Sequence, residues 1–140
     1  MLVRLGSVPS ATSAALQTLG VTVTTCIGGA GVISESVRTT LPTCARAGGA
    51  DRWATAVAVA NAFSSQVPAT RVTVTGGLEA NLVDALGAGS MGHLVLLAPP
   101  STPPASVLAW LRKTYSILGL EVVGGTGAVP DIAVQGMRNA

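Results

Sequence analysis

The sequence predicts an α/β layered fold of parallel strands joined by right-handed helical crossovers. Three observations carry that expectation: short apolar strands alternate with helical segments along the whole chain, two strands run into matching glycine-rich turns, and Leu94-Val95-Leu96-Leu97 is continuously apolar in the manner of a strand buried on both faces. With 140 residues and 49% hydrophobic composition the chain can bury a real core.

Taken in order, Leu2 to Leu5 reads as a strand, and Ser10 to Thr18 as a helix entered through Pro9-Ser10. Val21 to Ile27 is rich in β-branched residues and ends in the tight turn Gly28-Gly29-Ala30-Gly31, so a strand is expected there. Ser34 can cap a helix through Leu41, with Glu35 in the first turn complementing the helix dipole and Pro42 ending it. The stretch Arg46 to Ala56 then joins a glycine hinge, Gly48-Gly49, to a helix capped by Asp51. That helix sets Trp53, Val57, Ala60 and Ser64 on one side with Ala56, Val59 and Phe63 beside them, an alanine-rich face able to lie close to a sheet. Arg71 to Thr75 is the next strand, closed by Gly76-Gly77, and Asn81 to Ala88 a short helix carrying Asp84. After Leu94–Leu97, a helix over Pro103 to Tyr115 turns Val107, Leu108 and Leu111 inward. Leu120 to Val123 is a strand into Gly124-Gly125-Thr126-Gly127, and Pro130 to Arg138 the last helix.

An internal repeat organises these elements. Leu19-Gly20-Val21 through Gly28-Gly29-Ala30-Gly31-Val32-Ile33 matches Leu118-Gly119-Leu120 through Gly124-Gly125-Thr126-Gly127-Ala128-Val129, and Leu2–Leu5 with the polar helix entry after it matches Leu94–Leu97 and its own. Residues 1–45 therefore copy the second half of a unit that fills residues 46–140, one and a half tandem repeats in all. A half unit leaves a sheet edge or apolar face for another copy or another chain, so a homo-oligomer or larger assembly is expected.

Composition excludes several function classes. Charged residues make up 10% of the chain and mean hydropathy is +0.58, whereas an ordinary soluble domain is roughly 25% charged. No apolar run reaches the roughly 18 residues of a membrane span, and Met1 to Gly6 leads into Ser- and Pro-rich sequence rather than a signal-peptide core. The net charge of +2 is scattered over seven arginines and Lys113, without the basic stripe or stacked aromatics of a nucleic-acid binder. Cys26 and Cys44 lie in no Cys/His cluster that would hold zinc; they form either one disulfide or a pair of inert buried thiols. His93, the only histidine, has no serine elbow or cysteine partner for a triad. Gly29-Ala30-Gly31 and Gly125-Thr126-Gly127 are half a dinucleotide fingerprint, but its last position is Ser34 in one copy and Pro130 in the other. No cofactor, metal or catalysis is expected.

Arg46-Ala47-Gly48-Gly49-Ala50-Asp51-Arg52-Trp53-Ala54-Thr55-Ala56, then Gly76, Asp84-Ala85-Leu86, Leu94–Leu97 and Val123-Gly124-Gly125-Thr126-Gly127-Ala128-Val129, resembles in order the type 2 cell wall binding repeat of Gram-positive bacteria. The resemblance implies a Rossmann-like unit, usually in threes about a pseudo-threefold axis, that anchors surface proteins non-covalently to an anionic wall polysaccharide. It also implies a location outside the cell, on the wall or a particle surface. Trp53 stands where the family usually has Tyr, Leu94 where it has Pro, the segment between Asp84 and Leu94 is short, and Arg4 occupies a normally apolar position.

Binding an anionic polymer calls for arginine forks and open backbone amides, and Arg46 and Arg52 flank the hinge where the glycine turns and helix starts could add donors. The competing role for these residues is an internal network in which Arg46 or Arg52 pairs with Asp51 or Asp84. Asp84 reads as a helix cap or arginine partner, and Trp53 and Trp110 as core or interface anchors rather than sugar platforms. The other function class is a structural subunit of a surface layer, appendage or virus particle that assembles through its half unit.

Overall fold

Four of the five expected strands, all but Leu2–Leu5, find a place in a parallel sheet, though not always with the expected length. The computed structural model describes residues 1–140 and divides into two units, Met1–Ala50 and Asp51–Ala140.

The first unit contains helix α1 (Ser10–Thr18), strand β1 (Thr24–Ile27), helix α2 (Glu35–Thr40) and strand β2 (Cys44–Ala47). β1 and β2 pair in parallel, with Thr24 opposite Cys44 and Cys26 opposite Arg46. Ser34 caps α2, its hydroxyl accepting from the Val37 amide at 3.2 Å. Cys26 and Cys44 are bonded, their Cα atoms 6.1 Å apart, within the usual span of a disulfide. With Val37 and Ala47 they form the buried centre of the unit.

Two expectations need correction here. Leu2–Leu5 makes no strand but a single bridge between Arg4 and Ser7, and Leu2 is 86% exposed. With no neighbouring strand to form a ladder, its backbone takes single partners instead: the Leu2 carbonyl accepts from the Thr12 hydroxyl and the Leu5 carbonyl from the Ser34 amide. Conversely, β2 was not expected: Ala and Arg are weak strand formers, and Cys44–Ala47 becomes extended because the β1 edge accepts it.

In the second unit, helix α3 (Arg52–Phe63) leads to strand β3 (Arg71–Gly76), then to helix α4 (Leu82–Gly89) through one 3₁₀ turn. Strand β4 (Leu94–Ala98), helix α5 (Ala105–Lys113), strand β5 (Gly119–Val123) and helix α6 (Asp131–Arg138) follow. The sheet order is β4-β3-β5, all parallel, with Val74 opposite both Leu96 and Val122. Val72, Val74, Leu94 and Leu96 share one face, where they pack with Ala60 of α3, Val107 and Trp110 of α5, and Ala133 and Met137 of α6. Each fully buried branched side chain there stabilises the unit by about 1.5–3 kcal/mol. Trp110 is anchored by its indole N–H, which donates to Asn61 Oδ1 at 2.8 Å. The alternate residues Thr73 and Thr75 point to the other face, and α4 packs against all three strands. The strand buried on both faces is β3, not Leu94–Leu97 as its composition suggests: β4 is an edge strand, and Val95 and Leu97 are only half-buried. No helix is long and apolar enough to cross a membrane.

Candidate functional site

Arg46 lies third in β2, and its side chain closes the turn that follows β1. Nη1 donates to the Gly28 carbonyl at 2.8 Å, while Nη2 donates to the Ile33 carbonyl at 2.9 Å and to Glu35 Oε2 at 3.2 Å. Gly28 itself has φ +126°, a conformation that side-chain-bearing residues resist. Gly48 approaches so closely that a Cβ there would sit 2.6 Å from the Gly28 carbonyl, and Gly29 lies against the Gly49 carbonyl. Glu35 is an arginine receptor as well as a helix-start charge: Arg38 first, then Arg46, hold its carboxyl below the ordinary 4.5.

The second arginine of the hinge behaves similarly. Arg52 Nη1 donates to the Gly77 carbonyl at 2.6 Å, and Asp51 caps α3 by accepting from the Ala54 amide at 2.7 Å. Neither Asp51 nor Asp84 pairs with an arginine; the arginine ion pairs are Arg38–Glu35, Arg46–Glu35 and Arg71–Glu121, and His93 Nδ1 lies 3.3 Å from Glu121 Oε2. A guanidinium carries five donors, and in each turn it finds carbonyls left over at a strand end. Asp84 is not a side-chain cap either. Its carboxylate lies beside the turn after β5, where a Cβ on Gly124 would come 3.0 Å from Oδ2. Gly76 lets that turn approach, since a Cβ there would meet the Ala128 carbonyl at 2.8 Å, whereas Gly125 faces open space. The turn amides are used internally: Val32 and Ile33 both donate to Gly29, and Ala128 and Val129 both donate to Gly125. Trp53 packs against the core, its indole N–H buried without a partner.

The cations not absorbed in this way collect elsewhere. Helices in parallel α/β units run antiparallel to the strands, so helix C-termini and strand N-termini share one end of the second unit. Arg112 and Lys113 end α5, Arg138 ends α6 and Arg71 begins β3. The acids Asp51, Glu79, Asp84 and Asp131 lie at helix starts, toward the other end. Both placements complement the helix dipoles. At the cationic end Tyr115 is 94% exposed. It lines a recess of about 500 Å³ together with Leu118, Gly119 and Arg138, and a second of about 600 Å³ with Asn61 and Lys113. Sequence reasoning missed this group, although Arg112-Lys113 closing a helix two positions before an aromatic residue was a visible signal. No group of His, Cys, Asp and Glu side chains gathers that could hold a metal ion.

This parallel fold, with its paired glycine turns and arginine-closed loop, falls in a class of cell wall binding modules: residues 46–135 match the family model for Cell wall binding domain 2, and the chain is a member of that family. The match begins inside β2. Among solved structures the chain is similar to Cwp6 from Clostridium difficile, at 21% identity and a TM-score of 0.85, over 99% of this chain and 23% of that one. Cwp8 from the same organism is similar at 20% identity and a TM-score of 0.75, over 99% of this chain and 24% of that one. These likenesses show the fold, and the chain spans about a quarter of either relative's length. No curated protein matches it.

Proposed function

We propose that the chain attaches non-covalently to an anionic polymer of a Gram-positive cell wall, through the cationic end of the second unit. Family membership supports a cell wall ligand. The observation that carries the finer reading is that Lys113 and Arg138, neither of them in an ion pair, line the two recesses that share the exposed ring of Tyr115, with Arg112 beside Lys113 at the end of α5. Arginine forks and an ammonium meet phosphate or carboxylate oxygens there, and the phenol ring offers a flat apolar face to a sugar. Arg46 and Arg52 serve the polymer indirectly, by holding the turns in shape. The family supports a place at the cell surface, where a Cys26–Cys44 disulfide persists.

Sedimentation with purified walls tests this. Each exposed charge contact contributes about 0.5–1 kcal/mol, so Arg112→Ala, Lys113→Ala and Arg138→Ala together are expected to weaken binding about tenfold or more. Arg46→Ala is expected to lower the unfolding midpoint while folded protein still binds. Undiminished binding by the triple variant, or equal binding to walls stripped of their anionic polymer, would reject the proposal.

A further inference from the structure

The turn after β1 is filled by an arginine from a neighbouring parallel strand; the turn after β5 is built the same way and has no such arginine. The two correspond bond for bond. Gly28 and Gly124 have φ +126° and +117°. Ile33 donates to Gly29, and its counterpart Val129 donates to Gly125, both at close to the same length (3.1 and 2.9 Å). In the first turn the guanidinium of Arg46 bridges the carbonyls of Gly28 and Ile33 and the carboxylate of Glu35. The repeat places the carbonyls of Gly124 and Val129 and the carboxylate of Asp131 at the matching positions.

The sheet edges correspond as well. β1 carries β2 in parallel, whereas β5 pairs only with β3 and leaves its outer edge unpaired. That edge is where a right-handed crossover through α6 leads, because α6 packs beside α5 on the face that carried the chain from β4 over β3 to β5.

We infer that the outer edge of β5 and the Gly124–Val129 turn form a docking site for one kind of segment: an extended strand from another repeat of this family, with the Cys44–Gly49 pattern of a central arginine followed by two glycines. The strand adds in parallel to β5, and its arginine donates to the Gly124 and Val129 carbonyls and pairs with Asp131. Charge selects the occupant, since only a multidentate cation satisfies two carbonyls and a carboxylate at once. This joining of repeats does not depend on polymer binding, and the Gly124–Val129 turn that receives the arginine lies at the other end of β5 from the recess lined by Gly119 and Arg138.

Its test is the full chain extended at Ala140 by a flexible linker and a tail copying residues 42–50 with serine in place of Cys44, which raises the tail's local concentration to about the millimolar range. Hydrogen exchange across β5 is expected to slow about tenfold or more, with little change in β4, and to return to its starting rate when the tail carries alanine in place of Arg46. Asp131→Asn in the extended chain is expected to reverse part of the slowing. β5 exchange unchanged in a chain whose β3 amides remain protected, protection appearing at the β4 edge instead, or equal slowing by the arginine and alanine tails would each overturn the inference.

Discussion

Thr75 is fully buried in the central strand, and its hydroxyl has no hydrogen-bond partner. An unsatisfied buried hydroxyl costs roughly 1–3 kcal/mol, and valine has nearly the same shape without it. Thr75→Val is therefore expected to raise unfolding stability by about 1 kcal/mol in chemical denaturation; a loss would mean that the hydroxyl is satisfied in solution. Glu35 supplies a second test at this scale. Arg38 and then Arg46 lower its folded-state pKa from 4.5, so as the pH falls through that region the unfolded chain takes up the proton first. Its contribution to stability is thus present above pH 4.5 and is lost as the pH falls below it, through the folded value. Glu35→Gln is expected to destabilise the chain at neutral pH, and the difference from the parent should close in denaturation curves taken well below pH 4.5.

Among the elements, β2 depends most on its neighbours. Its residues have little strand preference, and it is held by the β1 ladder, by Arg46 reaching the turn, and by the Cys26–Cys44 bond across a separation of 18 residues. Closing a loop of this size restricts the unfolded chain enough to contribute about 3 kcal/mol. Reduction is expected to speed hydrogen exchange in β1 and β2 and to leave β3 unchanged; equal effects on both would mean that the two units unfold together. α2 and α3 are set more locally, by Ser34 accepting from Val37 and Asp51 accepting from Ala54. Such caps join residues three apart, which is why both helix starts were legible without a structure. The expected strand at Leu2–Leu5 resembles Leu94–Leu97 in composition, but β4 has β3 to pair with and Leu2–Leu5 has no such strand.

Over the whole molecule, charge placement bears most directly on wall attachment. A net charge of +2 on 140 residues gives no hint of a binding surface, yet the second unit gathers Arg112, Lys113 and Arg138 where helices end and most of its acids where helices begin. Attraction to a polyanion at exposed groups is screened over roughly 10 Å at 0.1 M salt. Wall retention is expected to fall steeply between about 50 mM and 200 mM salt, and a flat salt response in the same sedimentation assay would point to apolar or purely hydrogen-bonded capture.

The order of the helices, the three strands of the second unit, the glycine turns and the Asp51 cap were legible in the sequence alone, because each is a property of a few contiguous residues and their spacing. Tertiary structure decided which runs became strands, which strand was central, and which groups Arg46 and Arg52 reached. An extended segment needs an edge to pair with and a guanidinium needs unclaimed carbonyls, and both are supplied by residues distant in the chain. The grouping of Arg112, Lys113 and Arg138 was decided in the same way, since it depends on where two separate helices end.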